Sequence, residues 1–557
     1  DYPLRDVYKR QTYYEAKDAG FKKQNISNIS SFDNFSKSIF YDDNKSLRVV
    51  YPKISKGCIS EISYTEQYTD PHFMGSFYFG SYIPVHHAQS SIEFPADVDV
   101  KFKLFNDNGS IHFTEEKKKN TIRYTWYSDT IPAYEYEEED FNISHYEPHV
   151  CVYIANYTTS GVKTEVLPDV NHLYKWLYSF TKEINKSDLP QMKQLVDSLV
   201  TGKNNDYEKA QAIFYWVQSH IKYVAFEAGY SGITPRDAND VFLKRYGDCK
   251  DMSSLQVKMY RMAGLEAHMV WLGTRDIPYK HEELPTPSTN NHMVAMVVID
   301  GNNYFTDGTA YFISLDFPSD AIQGQEALVG YDSLNFKLIT VPVIDISRNA
   351  FIDSTVLTIE NDVLLGTSSN TYKGYHMFDE AITLSRTPLN KRDEVLSRNL
   401  QKGSNKFKLI SFEALNINRD SALSIKYKFS LPDFVKKISN TFYVNLNLDK
   451  TFQSQTIDTL KKHFDEKFDY KHTVSYHTIF NIPEGYKIKE MPKNSKIEFP
   501  DFGFNAAYTS DQNGKEIIYT LEIKINTLAI HPSEFASWNN MIKQLNNVYS
   551  QVIILEK

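Results

Sequence analysis

The stretch Arg245-Tyr246-Gly247-Asp248-Cys249-Lys250-Asp251-Met252-Ser253-Ser254-Leu255 decides how the middle of this chain is read. Met252, Leu255, Met259 and Met262 recur at helical steps, and Gly264 is placed to stop that helix. Asp248 suits the N-cap, and Asp251, three residues on, suits the reciprocal position of a capping box. Cys249 is then the first helical residue. Free backbone N–H groups and about half a positive charge from the helix dipole favour its thiolate over its thiol. Only the thiolate is a good nucleophile. Gly247 is expected to let a substrate carbonyl approach the backbone, with the N–H of Cys249 or its neighbour helping to hold an oxyanion. A small buried hydrophobe is the bland alternative for a free cysteine, and the charged flanks Asp248, Lys250 and Asp251 argue against deep burial.

A nucleophilic thiol needs a base, and the chain holds 16 histidines. The segment from Asn290 to Thr309 narrows the choice. Asp300-Gly301 between β-rich runs is a strong signal for a two-residue hairpin turn. That turn pairs Ile299 with Asn302 and puts Asp307 opposite Val294, which shares a sheet face with His292. Asp307 becomes the diagonal neighbour of His292, with Cβ atoms roughly 7–8 Å apart. A carboxylate there would fix the imidazole tautomer and stabilise its protonated form, the third role of a catalytic triad. A turn slipped by one residue would set Asp307 opposite Met296, out of reach. His220, His268 and His281 have no comparable partner in the sequence. There is no His-Glu-x-x-His, no phosphate-cradling glycine loop and no Gly-x-Ser-x-Gly elbow, so neither metal nor cofactor is expected.

Outward from this site the texture changes on both sides. Residues 189–200 read as a short helix ending at Gly202, and residues 206–224 as a longer one with Ala210, Ile213, Phe214, Val217 and Ile221 on one face. A third is expected to start at Thr234-Pro235, with Asp237 closing its first turn. Residues 268–273 and 291–307 read as strands. From about residue 12 to residue 166 aromatic and β-branched residues alternate with polar ones, and Asn106-Asp-Asn-Gly-Ser110 marks a turn. Strands return after Ala327, interrupted by helical stretches near 378–399 and 533–548.

A length of 557 residues implies about two to four domains. The fold expected is a multidomain α+β one: an antiparallel β-sandwich-like domain over 12–175, an α+β core over 176–326 and a mostly β domain over 327–557. The opening 1–11 resembles a non-native leader and is set apart from the fold. A net charge of −9 argues against a nucleic-acid partner, and Lys117-Lys118-Lys119 reads as a solvated turn. Cys58, Cys151 and Cys249 match no zinc spacing. No run approaches the ~20 apolar residues of a membrane span; residues 293–299 fit a buried strand.

Tyr246-Gly-Asp-Cys-Lys-Asp251, Asn291-His292 and Thr306-Asp-Gly-Thr309 together resemble the bacterial branch of the transglutaminase-like superfamily, papain-type Cys-His-Asp enzymes and their relatives. Tyr223-Val-Ala-Phe-Glu-Ala-Gly-Tyr-Ser-Gly-Ile-Thr-Pro235 fits the same resemblance, which is specific over 206–309. Met252-Ser253 departs from it, since related sequences tend to have Lys-Ala there. The N-terminal part resembles a β-domain of unknown function that precedes this core in many Gram-negative envelope proteins. Ile482-Pro-Glu-Gly-Tyr486 and Met491-Pro492 resemble the matching C-terminal domain. The resemblance implies Cys249 as nucleophile, His292 as base, Asp307 as the orienting residue, and a periplasmic or extracellular location. It leaves the second oxyanion donor open among Trp216, Gln218 and Tyr223. The activity expected is thiol-dependent acyl transfer on an amide or peptide bond of a protein or peptide substrate, as peptidase or amidase rather than cross-linking enzyme. The alternative is a non-catalytic binding or envelope-assembly scaffold. An acyltransferase fed by a carried thioester would want a basic cluster near the core, and none is present. Oligomeric state is not legible.

Overall fold

The computed structural model describes the chain except residues 1–4, 18–19, 27–28, 34–38, 42–44, 52–55, 134–140, 228 and 414–416. Two compact units emerge. The first holds the described residues of 1–134, 142–310 and 324–341, the second those of 135–141, 311–323 and 342–557. Residues 1–4 of the expected leader lie outside the described residues. Residues 5–11 do not stand apart: they begin the strand Arg5–Lys17, which pairs with Gly20–Asn25 and Ile59–Tyr68.

The N-terminal part of the first unit is β-rich, as the alternating sequence implies. One sheet joins His112–Lys117, Thr121–Ile131 and Val85–Pro95; another joins Val162–Glu165, His149–Thr159, Ser76–Tyr78 and Val98–Phe105. Phe94 and Trp126 from the first sheet meet Val100, Val150 and Val152 from the second in one core. Two layers sharing a core make a sandwich. Asn106 and Gly109 supply the positive φ of the expected turn (54° and 87°).

The rest of the first unit packs helices on a five-stranded antiparallel sheet, ordered Asn302–Thr306, His292–Ile299, Glu266–Leu272, Glu326–Gly330, Phe336–Thr340. The last two strands belong to this sheet, so the core extends past residue 326, where its end was expected. Helices α1 (Val170–Ser179), α2 (Pro190–Val200), α3 (Asp206–His220), α4 (Ala238–Lys244) and α5 (Cys249–Met262) complete it. Helix α3 stops at His220 rather than running to 224. Lys222 and Val224 donate instead to the carbonyls of Arg245 and Gly247, so the chain crosses in extended form beside the segment leading to Cys249. Asp237 opens α4 as its N-cap, accepting from the Asn239 N–H, rather than closing a turn begun at Pro235.

The second unit is built on an eight-stranded sheet and α8 (Phe535–Tyr549), with α6 (Tyr375–Arg386) and α7 (Arg392–Asn399). In the strand Leu423–Leu431 every second residue is buried, the pattern of a half-covered sheet. Pro388 divides the expected helical stretch at 378–399 in two. The fold is thus α+β throughout: a β-rich N-terminal region, an α+β core and a β-rich C-terminal region. Among the described residues no helix is long and apolar enough to cross a membrane.

Candidate active site

Helix α5 begins with the capping box read from the sequence. Asp248 Oδ1 accepts from the Asp251 N–H (3.3 Å), and Asp251 Oδ2 accepts from the Asp248 N–H (3.2 Å). A residue that no local rule singles out locks this box. Arg236 donates to Asp251 Oδ2 through Nε (3.0 Å) and Nη2 (2.8 Å), and its backbone N–H donates to Oδ1 (2.8 Å). Lys250 donates in turn to Asp248. Asp248, Lys250 and Asp251 are therefore buried, at 3%, 5% and 2% exposure, against the expectation that their charges keep the segment near solvent. Charges tolerate burial when paired and hydrogen-bonded. Burial pushes the Asp248 carboxyl up. Burial acts on Asp251 in the same sense, but Lys250 and Arg236 outweigh it and hold that carboxyl down. Gly247 is also explained by packing rather than substrate approach, since a Cβ there would lie 2.6 Å from Asp251 Cβ and 3.2 Å from Arg236 Nη2.

A hairpin positions His292, the candidate base. Asp300 (φ 50°) and Gly301 (φ 77°) form the two-residue turn, Ile299 pairs with Asn302, and Ala295 pairs with Thr306. This register brings His292 Nε2 to 2.9 Å from Asp307 Oδ2. The other carboxylate oxygen accepts from the Thr309 N–H (3.0 Å) and hydroxyl (2.6 Å). Thr309 was not singled out by sequence reasoning. Its signal is an Asp followed two residues later by a hydroxyl residue, the pattern of an Asx-type turn.

Helix α5 is bolted to this hairpin. Ser253 donates to the Val294 carbonyl (2.7 Å), giving the departure at that position a structural use. Gln256, oriented so that both ends of its amide are satisfied, donates to the Thr306 carbonyl (3.0 Å) and accepts from the Gly308 N–H (3.1 Å). The bolt sets the cysteine and histidine beside one another in one cleft, close enough for the thiol to add to the shift of the imidazole. With Nε2 taken by Asp307, Nδ1 is the nitrogen left for the thiol. Burial works against protonating this imidazole, yet the Asp307 charge and hydrogen bond, aided by Cys249, raise its pKa well above the ordinary value.

Cys249 and His292 line a cleft of about 300 Å³ together with Trp176, Trp271, Tyr223 and Glu227. Of the three candidate oxyanion donors only Tyr223 lies here. Gln218 spends its amide on the Ala310 carbonyl (2.8 Å), and Trp216 is stacked between His220 and Arg245. Tyr223 is 43% exposed; its partial burial, with Cys249 and Asp248 adding, raises the phenol above its usual range and keeps it a donor. The other histidines are occupied elsewhere. His220 bonds the Trp216 carbonyl, His268 bonds Glu266, and His281, fully buried, bonds Glu326 and Asn290. His268 and His281 thus do have carboxylate partners, which come from residues no turn rule connects to them. Among the described residues no group of three or more His, Cys, Asp or Glu is arranged to hold a metal ion.

One wall of the cleft is braced by the N-terminal β region. Asp70 accepts from the Tyr230 hydroxyl (2.5 Å), next to the cleft-lining Gly229 and Gly232. His72 stacks on Trp176 with ring centroids 4.8 Å apart, and Phe73 meets the same ring edge-on at 5.5 Å.

Residues 193–306, which include Cys249 and His292 but stop one residue short of Asp307, match the family model of the Transglutaminase-like superfamily. This chain carries a transglutaminase-like core. Residues 22–135 and 440–555 match two Domains of Unknown Function, DUF3857 and DUF3858, so the transglutaminase-like core is flanked on both sides as its resemblance implied. Two solved structures, each described as a "putative" protease, are similar. One, from Parabacteroides distasonis, has 13% identity and a TM-score of 0.62, covering 99% of this chain and 91% of that one, which shows a shared fold. The other, a cysteine protease by its description, from Cytophaga hutchinsonii, has 13% identity and a TM-score of 0.18 over 42% of this chain and 74% of that one. No curated protein matches the sequence.

Proposed function

We propose that the transglutaminase-like core performs thiol-dependent acyl transfer to water, cutting an amide or peptide bond. The observation that carries this reading is one imidazole, His292, hydrogen-bonded to a buried carboxylate and set beside the Cys249 thiol in a cleft at a helix N-terminus. In the proposed reaction the Cys249 thiol passes its proton to His292, and Sγ attacks the carbonyl carbon. The developing oxyanion takes the Cys249 backbone N–H and the Tyr223 hydroxyl. His292 gives its proton to the departing amine, leaving a thioester. Water, losing a proton to His292, then releases the acid and restores the thiol. Hydrolysis rather than cross-linking rests on the resemblance to the bacterial branch, as does an exported location, which cell fractionation checks.

A fluorescent thiol-directed activity probe on the full chain and on Cys249→Ala tests the reading. Labelling at neutral pH is expected in the wild type and lost in the variant. Equal labelling of the two removes Cys249 as an activated nucleophile and leaves the core a scaffold.

A further inference from the structure

The second unit holds a reactive-looking trio far in sequence from the cleft residues, two of its members buried and the third, Asp449, partly exposed with 27% of its side chain open to solvent. Lys402, just past α7, is 5% exposed, and its ammonium contacts Asp353 Oδ2 on the strand Ala350–Glu360. Asp449 Oδ2 lies 3.4 Å from the same nitrogen. Asp353 is 2% exposed, and its other oxygen accepts from the Thr355 hydroxyl. The rings of Tyr427 and Phe429 lie 5.4 and 5.7 Å from Lys402 Nζ. Beside the trio is a small cavity with room for about one water.

Burying an ammonium against a carboxylate is costly, and a pair of apolar residues would serve packing as well. The arrangement has the parts needed to join an amine to a carboxyl. Nucleophile and electrophile touch, a hydroxyl polarises the carboxyl, aromatic walls exclude bulk water, and a third group can relay protons. We propose that Lys402 and Asp353 are linked by an autocatalytic isopeptide bond, Nζ to Cγ, with Asp449 as the proton relay. The bond is separate from the cleft chemistry and needs no enzyme.

The steps balance. Desolvation raises the Asp449 carboxyl above its ordinary value against the pull of Lys402, with Asp353 adding to the rise, and in the proposed reaction Asp449 enters as the acid. A proton on Asp449 also weakens the hold that the two carboxylates have on the ammonium. The carboxylates hold the Lys402 ammonium well above its ordinary value, so the step starts once that hold is weakened: Nζ then passes one proton to Asp353 Oδ2. The free Nζ lone pair attacks Cγ. Asp449 protonates the departing oxygen and recovers a proton from Nζ. One C–N bond forms, one C–O bond breaks, one water leaves, and nothing is oxidised or reduced.

Intact-mass spectrometry of the purified full chain decides the matter. The wild type, shown to be folded by a cooperative melt, is expected to weigh one water less than its sequence. A protease digest should contain a branched peptide joining residues 353 and 402. Lys402→Arg, which keeps the charge, and Asp449→Asn should both have the full sequence mass. A folded wild type at full mass overturns the proposal. So does a water loss that persists in Lys402→Arg, since it then arises at another site.

Discussion

Asp307→Asn isolates what the buried carboxylate does for the imidazole. The substitution keeps the size of the side chain and the acceptor that Thr309 uses, but faces His292 Nε2 with an amide N–H instead of an anion. Asp307 is 3% exposed and its contact with His292 is 2.9 Å, so solvent screens the pair little. A hydrogen bond to a charged group contributes about 1.5–3 kcal/mol. At about 1.4 kcal/mol per unit, losing it should lower the His292 pKa by roughly one to two units. The protonated fraction above that midpoint then falls roughly 10- to 100-fold. The imidazole also switches tautomer, placing its proton on Nδ1 and leaving no acceptor for the thiol proton. Histidine NMR titration of both proteins measures the midpoint, and probe labelling of Cys249 across pH measures the consequence. The linkage sign provides a second reading. The folded pKa of His292 is raised, so its stabilisation is complete below the ordinary value near 6.5 and is lost as pH rises through the raised value. Wild-type stability should therefore decline on the alkaline side, and Asp307→Asn should flatten that decline. An unchanged His292 midpoint, together with wild-type labelling at every pH, would refute the reasoning.

Arg236→Met leaves Asp251 buried without its bidentate partner and should cost about 3–5 kcal/mol by denaturant melts, with Cys249 labelling falling as the capping box loosens. Ser253→Ala removes the bond to the Val294 carbonyl; about 1 kcal/mol of stability should go. In the second unit His376 is held neutral, its pKa pushed down to about 3 by burial with His472 adding, while the Tyr470 hydroxyl, which donates to Asp379, lies against it. Unfolded histidine takes up protons near pH 6.5, so stability should fall as pH drops below that value. Burial raises Asp379, which acts in the opposite sense at lower pH. His376→Gln should flatten the fall between about pH 4 and 6.5; an unchanged slope of unfolding free energy against pH removes His376 as its source.

The parts of the site that follow local rules were legible before any coordinates. A capping box is four residues long and a two-residue turn fixes the register on both sides, so Asp248, Cys249, His292 and Asp307 could be placed from sequence alone. Arg236 could not, because its role depends on the chain from α4 lying beside Asp251, a contact 15 residues away with no periodic signature. For the same reason Asp248 and Lys250 read as solvent-facing charges when they are a buried pair. The end of α3 was misplaced because Ile221 continues its apolar face, while pairing with Arg245 and Gly247 makes the chain extended. The strands Glu326–Gly330 and Phe336–Thr340 looked like the start of the next domain because sheet membership is decided by partners, here Glu266–Leu272. The same contrast separates Tyr223 from Gln218: which of them faces the thiol is set by where α3 ends.

The contacts of Asp70 with Tyr230 and of His72 with Trp176 make the cleft wall a shared property of the β-sandwich region and the core. Thermodynamic reciprocity then applies between them. Any ligand or partner of the β region that favours one arrangement of residues 70–73 changes the affinity of the cleft for its substrate. A substrate that settles Trp176 must change the affinity for that partner by the same factor. The domain of unknown function thereby becomes a place from which substrate binding in the cleft can be turned up or down without touching the thiol.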